Sequence, residues 1–418
     1  MGLYKSKPPR VASSVSRMIR SSVPALSPLP TKQTDGPRHS PRVKQIALSF
    51  PLRLGPWQEI VRGVYRYAEG NKSWVIAFHA EEDVSVALAG KPDGVIAMVQ
   101  SADAAHKLRA WGGPVVVTAS DLDDLPFVQI GFDPLATGKM AAEHLMLLRG
   151  RAYAFVGNPS RLAGRLMRQG FVERLNRAGF EAILAPSCFD RPFEPAEAGE
   201  RTMIAWLATL PHPVAVFVCH DLLAHRLAGA CLAAGLRVPQ DIAILGCLND
   251  EFLCNVSQPP LSSVSVPLPA VGYEAAKILD AIVASIPVPP RIEFPPLGVV
   301  ARQSTDPAAL AEPALAAALR FIRDNVPKRI GVEDIAAASG LSRSSLERRF
   351  RAVVGRSPLA ELLRERVDRA QHLLAETDLT MKEVALATGF HDVRHLSVTF
   401  RQKAGVTPGK FRARFRPY

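Results

Sequence analysis

The sequence predicts an α/β protein with two doubly wound lobes, followed by an all-α module that carries a duplicated pair of helices. Three observations support this fold class. Short apolar runs alternate with amphipathic stretches between residues 45 and 300, helical patterns alone follow from residue 314 on, and two C-terminal segments repeat each other. A length of 418 residues suits two or three domains, and 48% hydrophobic residues are enough for large cores.

The segment 45–300 has the composition of parallel sheets covered by helices. Gln45–Phe50 is a continuous apolar strand, and 57–69 has apolar residues near helical spacing. About ten such units follow one another, which favours two lobes over one. Further strands are predicted at 74–78, 94–99, 114–118, 153–156, 214–219 and 242–246, and further helices at 136–148, 165–178, 197–209 and 222–234.

The positive charge of the chain lies at its two ends. Residues 1–44 carry nine lysines and arginines against one acid, whereas 45–307 carry 22 against 26 and 308–418 carry 20 against 12. Clustered positive charge favours polyanion binding, with a solvated charged face as the alternative interpretation. Residues 1–44 are also rich in Ser and Pro, which predicts a disordered basic tail.

The cysteines and the lack of long apolar runs indicate a cytoplasmic protein. No C-x-x-C pair occurs, which favours buried free thiols in a reducing compartment. Neither a run long enough to cross a membrane nor a secretory signal is present, so no membrane contact is expected. The five cysteines are Cys188, Cys219, Cys231, Cys247 and Cys254.

Catalytic and metal-binding patterns do not stand out. No Ser/His/Asp or paired-carboxylate arrangement occurs at motif spacing, so we expect neither an enzyme nor a cofactor. His391 and His395 are four residues apart, but a third ligand is not evident and no metal site is predicted.

The C-terminal module contains an internal repeat. Val332–Phe350 (VEDIAAASGLSRSSLERRF) matches Met381–Phe400 (MKEVALATGFHDVRHLSVTF) at an offset of 49 residues, which becomes 50 after the turn. In both copies a small helix with alanine at its crossing point precedes a glycine, Gly340 or Gly389. Glycine is suited to the left-handed turn that must follow such a helix.

The second helix of each copy has an inward and an outward face. Ser342 and Asp392 stand where they can cap it. Its buried face is predicted to carry Leu346 and Phe350 in the first copy and Leu396 and Phe400 in the second. This is the pattern of a helix-turn-helix, whose second helix enters the DNA major groove. Two copies within one basic module are a much stronger signal than one, and a plain helical bundle does not explain the duplication.

The stretch between the copies predicts a rigid connector. Pro358–Glu376 (PLAELLRERVDRAQHLLAE) has a helical apolar face, and about 20 residues give a helix of roughly 30 Å. Successive major grooves on one face of DNA repeat about every 34 Å, so such a connector suits two recognition helices in adjacent grooves.

The C-terminal module resembles the AraC/XylS family of regulators along its whole length, most closely at Phe400–Arg412 (FRQKAGVTPGKFR). The resemblance implies that Arg348 and Arg394 read guanine, since a guanidinium can donate two hydrogen bonds to one base. It implies phosphate contacts, which position rather than specify, for Arg343, Arg349, Arg401 and Lys403. The base-reading faces it implies are Ser344, Glu347 and Arg348 in the first unit, and Val393, Arg394, His395 and Val398 in the second.

Residues 45–300 resemble the effector domain of LacI/GalR regulators, which is built like a periplasmic sugar-binding protein. Three stretches carry the resemblance: Val128–Gly157, Cys219–Gly246 and Pro259–Leu279. It implies a ligand cleft outside the carboxyl ends of the strands, between hinged lobes. The ligand contacts it implies are Arg53, Trp57, Arg168, Asp221, Asn249 and Asp250.

Some positions depart from that family's pattern. Leu248 stands where a carboxylate is common, and Pro134 replaces the second of two usual aspartates. His220 occupies a position often held by a small or amide residue. Arg168 is one residue off the usual spacing, with Arg165 as the competing candidate. The alternative role for Asp221 and its predicted partners on the 249–250 turn is that of structural caps and hinge contacts.

The sequence therefore predicts a dimeric regulator that binds a double-stranded operator and responds to a small sugar-like effector, with RNA polymerase as a further candidate partner. A cleft that serves only as a dimerisation scaffold is the alternative, and a DNA-repair enzyme with an AraC-type module is a remote one. The predicted domains are a tail at 1–44, an effector domain at 45–300, a linker at 301–313 and a DNA-binding domain at 314–418.

Overall fold

The structure, a computed structural model, describes residues 43–50, 55–70, 73–79, 83–148, 152–186, 196–306 and 313–415. The predicted tail lies outside these ranges except for its last two residues. Of these, Lys44 begins the first strand, and its Nζ lies 2.6 Å from Oδ1 of Asp280.

The first lobe is built on a six-stranded parallel sheet, ordered β11-β5-β4-β3-β1-β2. Its buried strands read as apolar runs because helices cover both faces. Its elements are β1 (Lys44–Ser49), α1 (Gly55–Gly70), β2 (Trp74–His79), α2 (Val84–Ala89), β3 (Gly94–Val99), α3 (Ala102–Trp111), β4 (Val115–Ser120), β5 (Val128–Phe132), α9 (Leu268–Val283) and β11 (Arg291–Phe294).

The second lobe repeats this architecture in a sheet ordered β12-β10-β9-β8-β6-β7, in which only the edge strand β12 is antiparallel to its neighbour. Its elements are α4 (Pro134–Met146), β6 (Ala152–Val156), α5 (Leu162–Asn176), β7 (Ala182–Leu184), α6 (Ala196–Leu207), β8 (Val214–Val218), α7 (Asp221–Ala233), β9 (Ile242–Cys247), α8 (Glu251–Val256), β10 (Ser262–Ser265) and β12 (Gly298–Val300).

The chain crosses between the lobes three times, after β5, after β10 and after β11. The second crossing returns α9 to the first lobe, where it packs on α1. The two-lobed doubly wound fold is confirmed, and the predicted strands and helices lie within a few residues of the observed ones.

The start of the predicted linker is part of the second lobe. Ser304 is fully buried, and its hydroxyl donates to the carbonyl of Ile244 at 2.6 Å. Thr305 is also buried and donates to the hydroxyl of Ser262 at 2.7 Å. Residues 303–305 form a short 3₁₀ turn, so the lobe extends to residue 306, where the described part of this segment ends.

The C-terminal module is all-α in its described residues. The first duplicated helix pair is α11 (Val332–Ser339) and α12 (Arg343–Val354), and the second is α14 (Met381–Ala387) and α15 (Val393–Ala404). The 19-residue helix α13 (Pro358–Glu376) connects the two pairs. Among the helices in the described ranges, none combines the length and apolar character that a membrane span requires. Further helices of the module are α10 (Pro313–Asp324) and α16 (Pro408–Phe415).

The turns of both helix pairs have the predicted conformation. Gly340 and Gly389 are left-handed, with φ of 66° and 71°. Gly389 is needed for a second reason, because a Cβ there would lie 2.3 Å from the carbonyl oxygen of Val326. Arg366 of α13 secures the same loop by donating to the carbonyl of Lys328 at 2.8 Å.

Candidate ligand cleft and DNA-binding helices

A cavity of about 190 Å³ lies between the lobes at the carboxyl ends of the strands. Trp57 of α1, Met98 and Phe132 line it from the first lobe, and Met167 and His220 line it from the second. An aromatic side chain on a cavity wall can stack against a sugar ring, and few convergent polar groups suffice to orient a small ligand.

Two ion pairs cross the cleft. Asp121 follows β4 of the first lobe, and its Oδ2 lies 3.2 Å from Nη1 of Arg161, the residue that precedes α5 in the second lobe. One turn later on α5, Arg165 pairs with Asp123. Arg165 was the competing candidate for ligand contact, and here it holds the two lobes together. These pairs are half-exposed, so water and salt weaken them.

The turn after β9 brings Leu248 to the cavity wall. Leu248 and Asn249 have φ of 92° and 53°, a region that non-glycine residues seldom occupy. The carboxylate of Asp221, only 2% exposed, accepts a hydrogen bond from the amide of Asp250 at 2.7 Å. Burial raises the pKa of Asp221 to about 7, although that hydrogen bond opposes the rise.

The predicted ligand-binding residues are spread over different environments. Trp57 lines the cavity, whereas Arg53 lies outside the described residues. Arg168 is half-buried on α5 and is not among the lining residues. Asn249 accepts from Arg302 at 3.0 Å, and Asp250 caps α8 by accepting from the amide of Leu253 at 3.1 Å.

These hydrogen bonds match the alternative role as structural caps, and direct contact with a ligand stays a prediction for Asp221, Asn249 and Asp250. Sequence reasoning did not find Arg161 or Asp121. The sequence did contain a signal for these ion pairs. Asp121 and Asp123 are two residues apart just after a predicted strand, and their partners Arg161 and Arg165 are four residues apart, one helical turn.

The first recognition helix, α12, begins at the predicted cap. The hydroxyl of Ser342 accepts from the amide of Ser345 at 3.4 Å, and the predicted inner face, Leu346 and Phe350, is fully buried. Arg343 pairs with Glu333 at 2.8 Å and with Glu347 at 3.2 Å. These acids raise the pKa of Arg343. Of the predicted DNA contacts, Arg343, Ser344 and Arg348 are exposed, and Glu347 and Arg349 are half-buried.

The second recognition helix, α15, is more open. Asp392 caps it by accepting from the amide of His395 at 2.7 Å, and Leu396 and Phe400 are fully buried. The ring of His395 rests edge-on against Phe390 at 5.2 Å between ring centroids. All its predicted DNA contacts, Val393, Arg394, His395, Val398, Arg401 and Lys403, are exposed.

Residues 142–305 match the periplasmic binding protein-like domain family, and residues 335–414 match a helix-turn-helix domain family. The xylose operon regulatory protein of Escherichia coli strain K12 is 28% identical over 381 residues, 88% of this chain and 96% of that protein. A putative AraC-like transcription regulator of Streptomyces lividans is 36% identical over 105 residues, 25% of this chain and 34% of that protein.

A solved structure of a xylose-binding transcription activator is 26% identical, with a TM-score of 0.56, and covers 88% of this chain and 97% of its own. The chain therefore combines a periplasmic binding protein-like domain with a helix-turn-helix domain of AraC type, in the order sensor-like domain first and DNA-binding module second, and it is similar to transcription regulators. The similarity to a transcription regulator thus covers nearly the whole chain.

The second helix-turn-helix unit of the regulator shares one hydrophobic core with the first lobe. Phe294, at the end of β11, packs against Phe415 of α16 with ring centroids 5.9 Å apart. Phe411 extends this contact at 4.5 Å from Phe415. At the surface, Arg66 of α1 lies 3.6 Å from Asp378, which precedes α14.

The first unit has its own core and meets the second lobe through a more polar interface. A small cavity of about 40 Å³ lies between the end of α4 and helices α10 and α13. Arg323 of α10, which lines this cavity, pairs with Asp306 at 2.5 Å. His144 of α4 bonds Thr305 through Nε2 at 2.9 Å, and burial lowers its pKa to about 3.

Charged side chains of α13 complete this interface. Arg364 lies 2.8 Å from Glu361 and 2.6 Å from Asp368, and it also contacts Glu365. Burial raises the pKa of Glu365 to about 7, even though the Arg364 charge opposes the rise. The Arg364 pairs lie within α13, and Arg323 with Asp306 is the ion pair that crosses to the second lobe, whereas the second unit is attached to the first lobe by apolar packing.

Proposed function

We propose that the regulator binds a carbohydrate effector in the interlobe cavity and that lobe closure sets the relative placement of its two recognition helices on an operator. The observation that carries the proposal is that each lobe holds a different helix-turn-helix unit. Phe294 of the first lobe packs on the second unit, and Asp306 of the second lobe pairs with the first unit. A ligand that favours the closed arrangement shifts the equilibrium between DNA-binding geometries.

The carbohydrate class rests on the cavity and on a relative. Trp57, in the first turn of α1, presents an aromatic ring to the cavity. The cavity lies where a ligand site is expected between two doubly wound lobes. The similar solved structure is described as a xylose-binding activator. A pentose or a related sugar is accordingly the first class to test.

Base reading is assigned by position on the two recognition helices. Arg348 and Arg394 are exposed and suited to bidentate contact with guanine. Val393 and Val398 are 37% and 51% exposed, unusual for valine and suited to contact with thymine methyl groups. Arg343, Arg349, Arg401 and Lys403 are assigned to phosphates, which fix the register.

A homodimer is proposed from the resemblance to LacI/GalR effector domains, with RNA polymerase as a further partner. A dimer would place two double units on DNA and double the footprint. Sedimentation of the full-length protein checks this directly, since a monomer at micromolar concentration would contradict it.

The second candidate function is a ligand-independent regulator whose cleft serves only as a dimerisation scaffold. The two ion pairs across the cleft favour it. Asp121 with Arg161 and Asp123 with Arg165 connect the lobes through protein groups alone. Under this candidate the cavity needs no ligand for the lobes to stay together, and DNA binding is constitutive.

Thermal-shift measurements on the full-length protein against pentoses, hexoses and sugar acids separate the two candidates. A sensor is stabilised by at least one sugar, and Trp57→Ala abolishes that shift while Tyr65→Ala, an exposed site on the same helix, keeps it. Stabilisation by none of the sugars would favour the scaffold and contradict sensing.

A further inference from the structure

Leu248 gives the cavity an apolar wall where a carboxylate was expected. It packs against the hydrophobic cores of both lobes and lines the cavity between them. Its φ of 92° is strained for a leucine. A strained residue at a binding site indicates a functional reason to hold that side chain in place.

Three hydrogen bonds fix the turn that presents Leu248. Its amide donates to the carbonyl of Val264 at 2.9 Å, and the amide of Asn249 donates to the hydroxyl of Ser263 at 3.0 Å. The third is the bond from the amide of Asp250 to the buried carboxylate of Asp221. Asp221 is therefore a positioning residue, and Leu248 is not free to leave the wall.

The carboxylates at the cavity wall are already engaged. Asp121 pairs with Arg161 at 3.2 Å, and Glu293 pairs with Arg291 at 2.6 Å. A fully hydroxylated sugar needs several polar partners, because each buried hydroxyl without one is costly. Met98, Phe132 and Met167 add apolar surface to the same wall and supply no strong hydrogen bonds.

The hydroxyl of Thr118 at the cavity wall is buried without a hydrogen-bond partner in the described part of the chain. Thr118 is 5% exposed and lines the cavity. A buried hydroxyl without a partner is unusual in folded proteins. Because Oγ1 itself is shielded from the cavity, a rotation about the Cα–Cβ bond of Thr118 has to turn it toward a ligand hydroxyl, which would then satisfy it.

We propose that the effector is a sugar with an apolar substituent, an alkyl or aryl glycoside, whose hydroxyls bond Thr118 and its neighbours while the substituent packs against Leu248. This rests on the proposed function of the cavity as a carbohydrate site. Apolar contact of this kind distinguishes ligands by about 10- to 200-fold per buried group.

Isothermal titration of the full-length protein tests this with three probes: D-xylose, methyl β-D-xylopyranoside and phenyl β-D-xylopyranoside. We expect the phenyl glycoside to bind at least about tenfold more tightly than free xylose, with the methyl glycoside between them. Equal or tighter binding of free xylose would overturn the inference and leave the proposed function standing. Binding of no probe, and of no sugar in the thermal-shift panel, would overturn both.

Two variants test which residues contact the substituent and the sugar hydroxyls. Leu248→Asn places an amide at the wall, and asparagine accepts a positive φ more readily than leucine does. We expect it to lose the preference for the phenyl glycoside and to bind free xylose at least as well as the wild type. Thr118→Val removes one hydroxyl and should weaken all probes that bind by similar factors. An unchanged preference in Leu248→Asn would overturn the assignment of the substituent to this residue.

Discussion

The two helix-turn-helix units are copies in sequence but differ in how they are attached. The second unit is continuous with the core of the first lobe through Phe294 and Phe415. The first unit keeps a core of its own and meets the second lobe through Arg323, His144 and the charged face of α13. Apolar packing resists sliding, whereas charged contacts depend on geometry, pH and salt. Under the proposed function the duplication supplies two DNA readers, and the difference in attachment would let the lobes control one relative to the other.

The largest expected effect comes from breaking the apolar attachment. Phe415→Ala removes a ring that is 2% exposed and should lower the free energy of unfolding by about 3–5 kcal/mol. Urea unfolding followed by tryptophan fluorescence measures it. Phe252→Ala is the control, since Phe252 is 73% exposed and should change stability by no more than about 0.5 kcal/mol. Equal stability of the two variants would contradict the shared core.

The next effect tests whether both units read DNA. Arg348→Ala and Arg394→Ala should each weaken operator binding by about 1–3 kcal/mol and relax specificity at one base pair. Arg109→Ala, at an exposed position on α3, is the charge-matched control. Gel-shift titration at fixed salt measures all three. If both recognition-helix variants bind like the wild type, the assigned reading faces are wrong.

The charged attachment of the first unit should respond to pH. The pKa of Glu365 is raised from 4.5 to about 7, so the folded protein holds this proton more tightly than the unfolded chain does. The contribution of this group to the free energy of unfolding is then largest below about pH 4.5 and is lost as the pH rises to about 7, by on the order of 3 kcal/mol.

Glu365→Gln isolates that contribution. Asp221 shifts stability in the same direction but is present in both proteins, so the difference between their pH profiles reports Glu365. Urea unfolding at pH 5, 6, 7 and 8 measures the profiles. Parallel profiles for wild type and variant would exclude a role for this carboxyl group.

The smallest expected effect is on operator affinity, and it concerns the ion pairs that engage the first recognition helix but have no counterpart described on the second. Arg343 of the first unit is engaged by Glu333 and Glu347, and Glu333→Gln removes one of these exposed pairs. We expect operator affinity to rise by less than about tenfold, and the gain to shrink at high salt. Glu251→Gln, an exposed position on α8, controls for net charge. An equal gain in both variants would mean that overall charge, and not Arg343, is responsible.

Local patterns in the sequence were enough to predict the repeated module. The offset of 49 residues located both helix pairs, and the capping roles of Ser342 and Asp392 and the left-handed turns at Gly340 and Gly389 are confirmed. These features are encoded within a few residues of each other, where helical spacing and capping chemistry determine the conformation. The same holds for the apolar strands of the two sheets.

Features that depend on distant residues could not be predicted in this way. The return of α9 to the first lobe and the contact of Phe294 with Phe415 join segments with no shared local pattern. The positive φ of Leu248 has no sequence signal either, because leucine is disfavoured there. The hydrogen bonds of Asp221 with the amide of Asp250 and of Asn249 with Arg302 likewise join segments that are distant in the sequence.

Under the proposed function, effector binding changes the placement of one recognition helix relative to the other. Spin labels on Arg351→Cys of α12 and Gln402→Cys of α15 report this distance by pulsed electron resonance, since both sites are exposed while the described native cysteines are buried. Adding the carbohydrate that binds most tightly should shift the distance distribution by roughly 2 Å or more. An unchanged distribution in a sample that titration shows to be saturated with that carbohydrate would contradict the account.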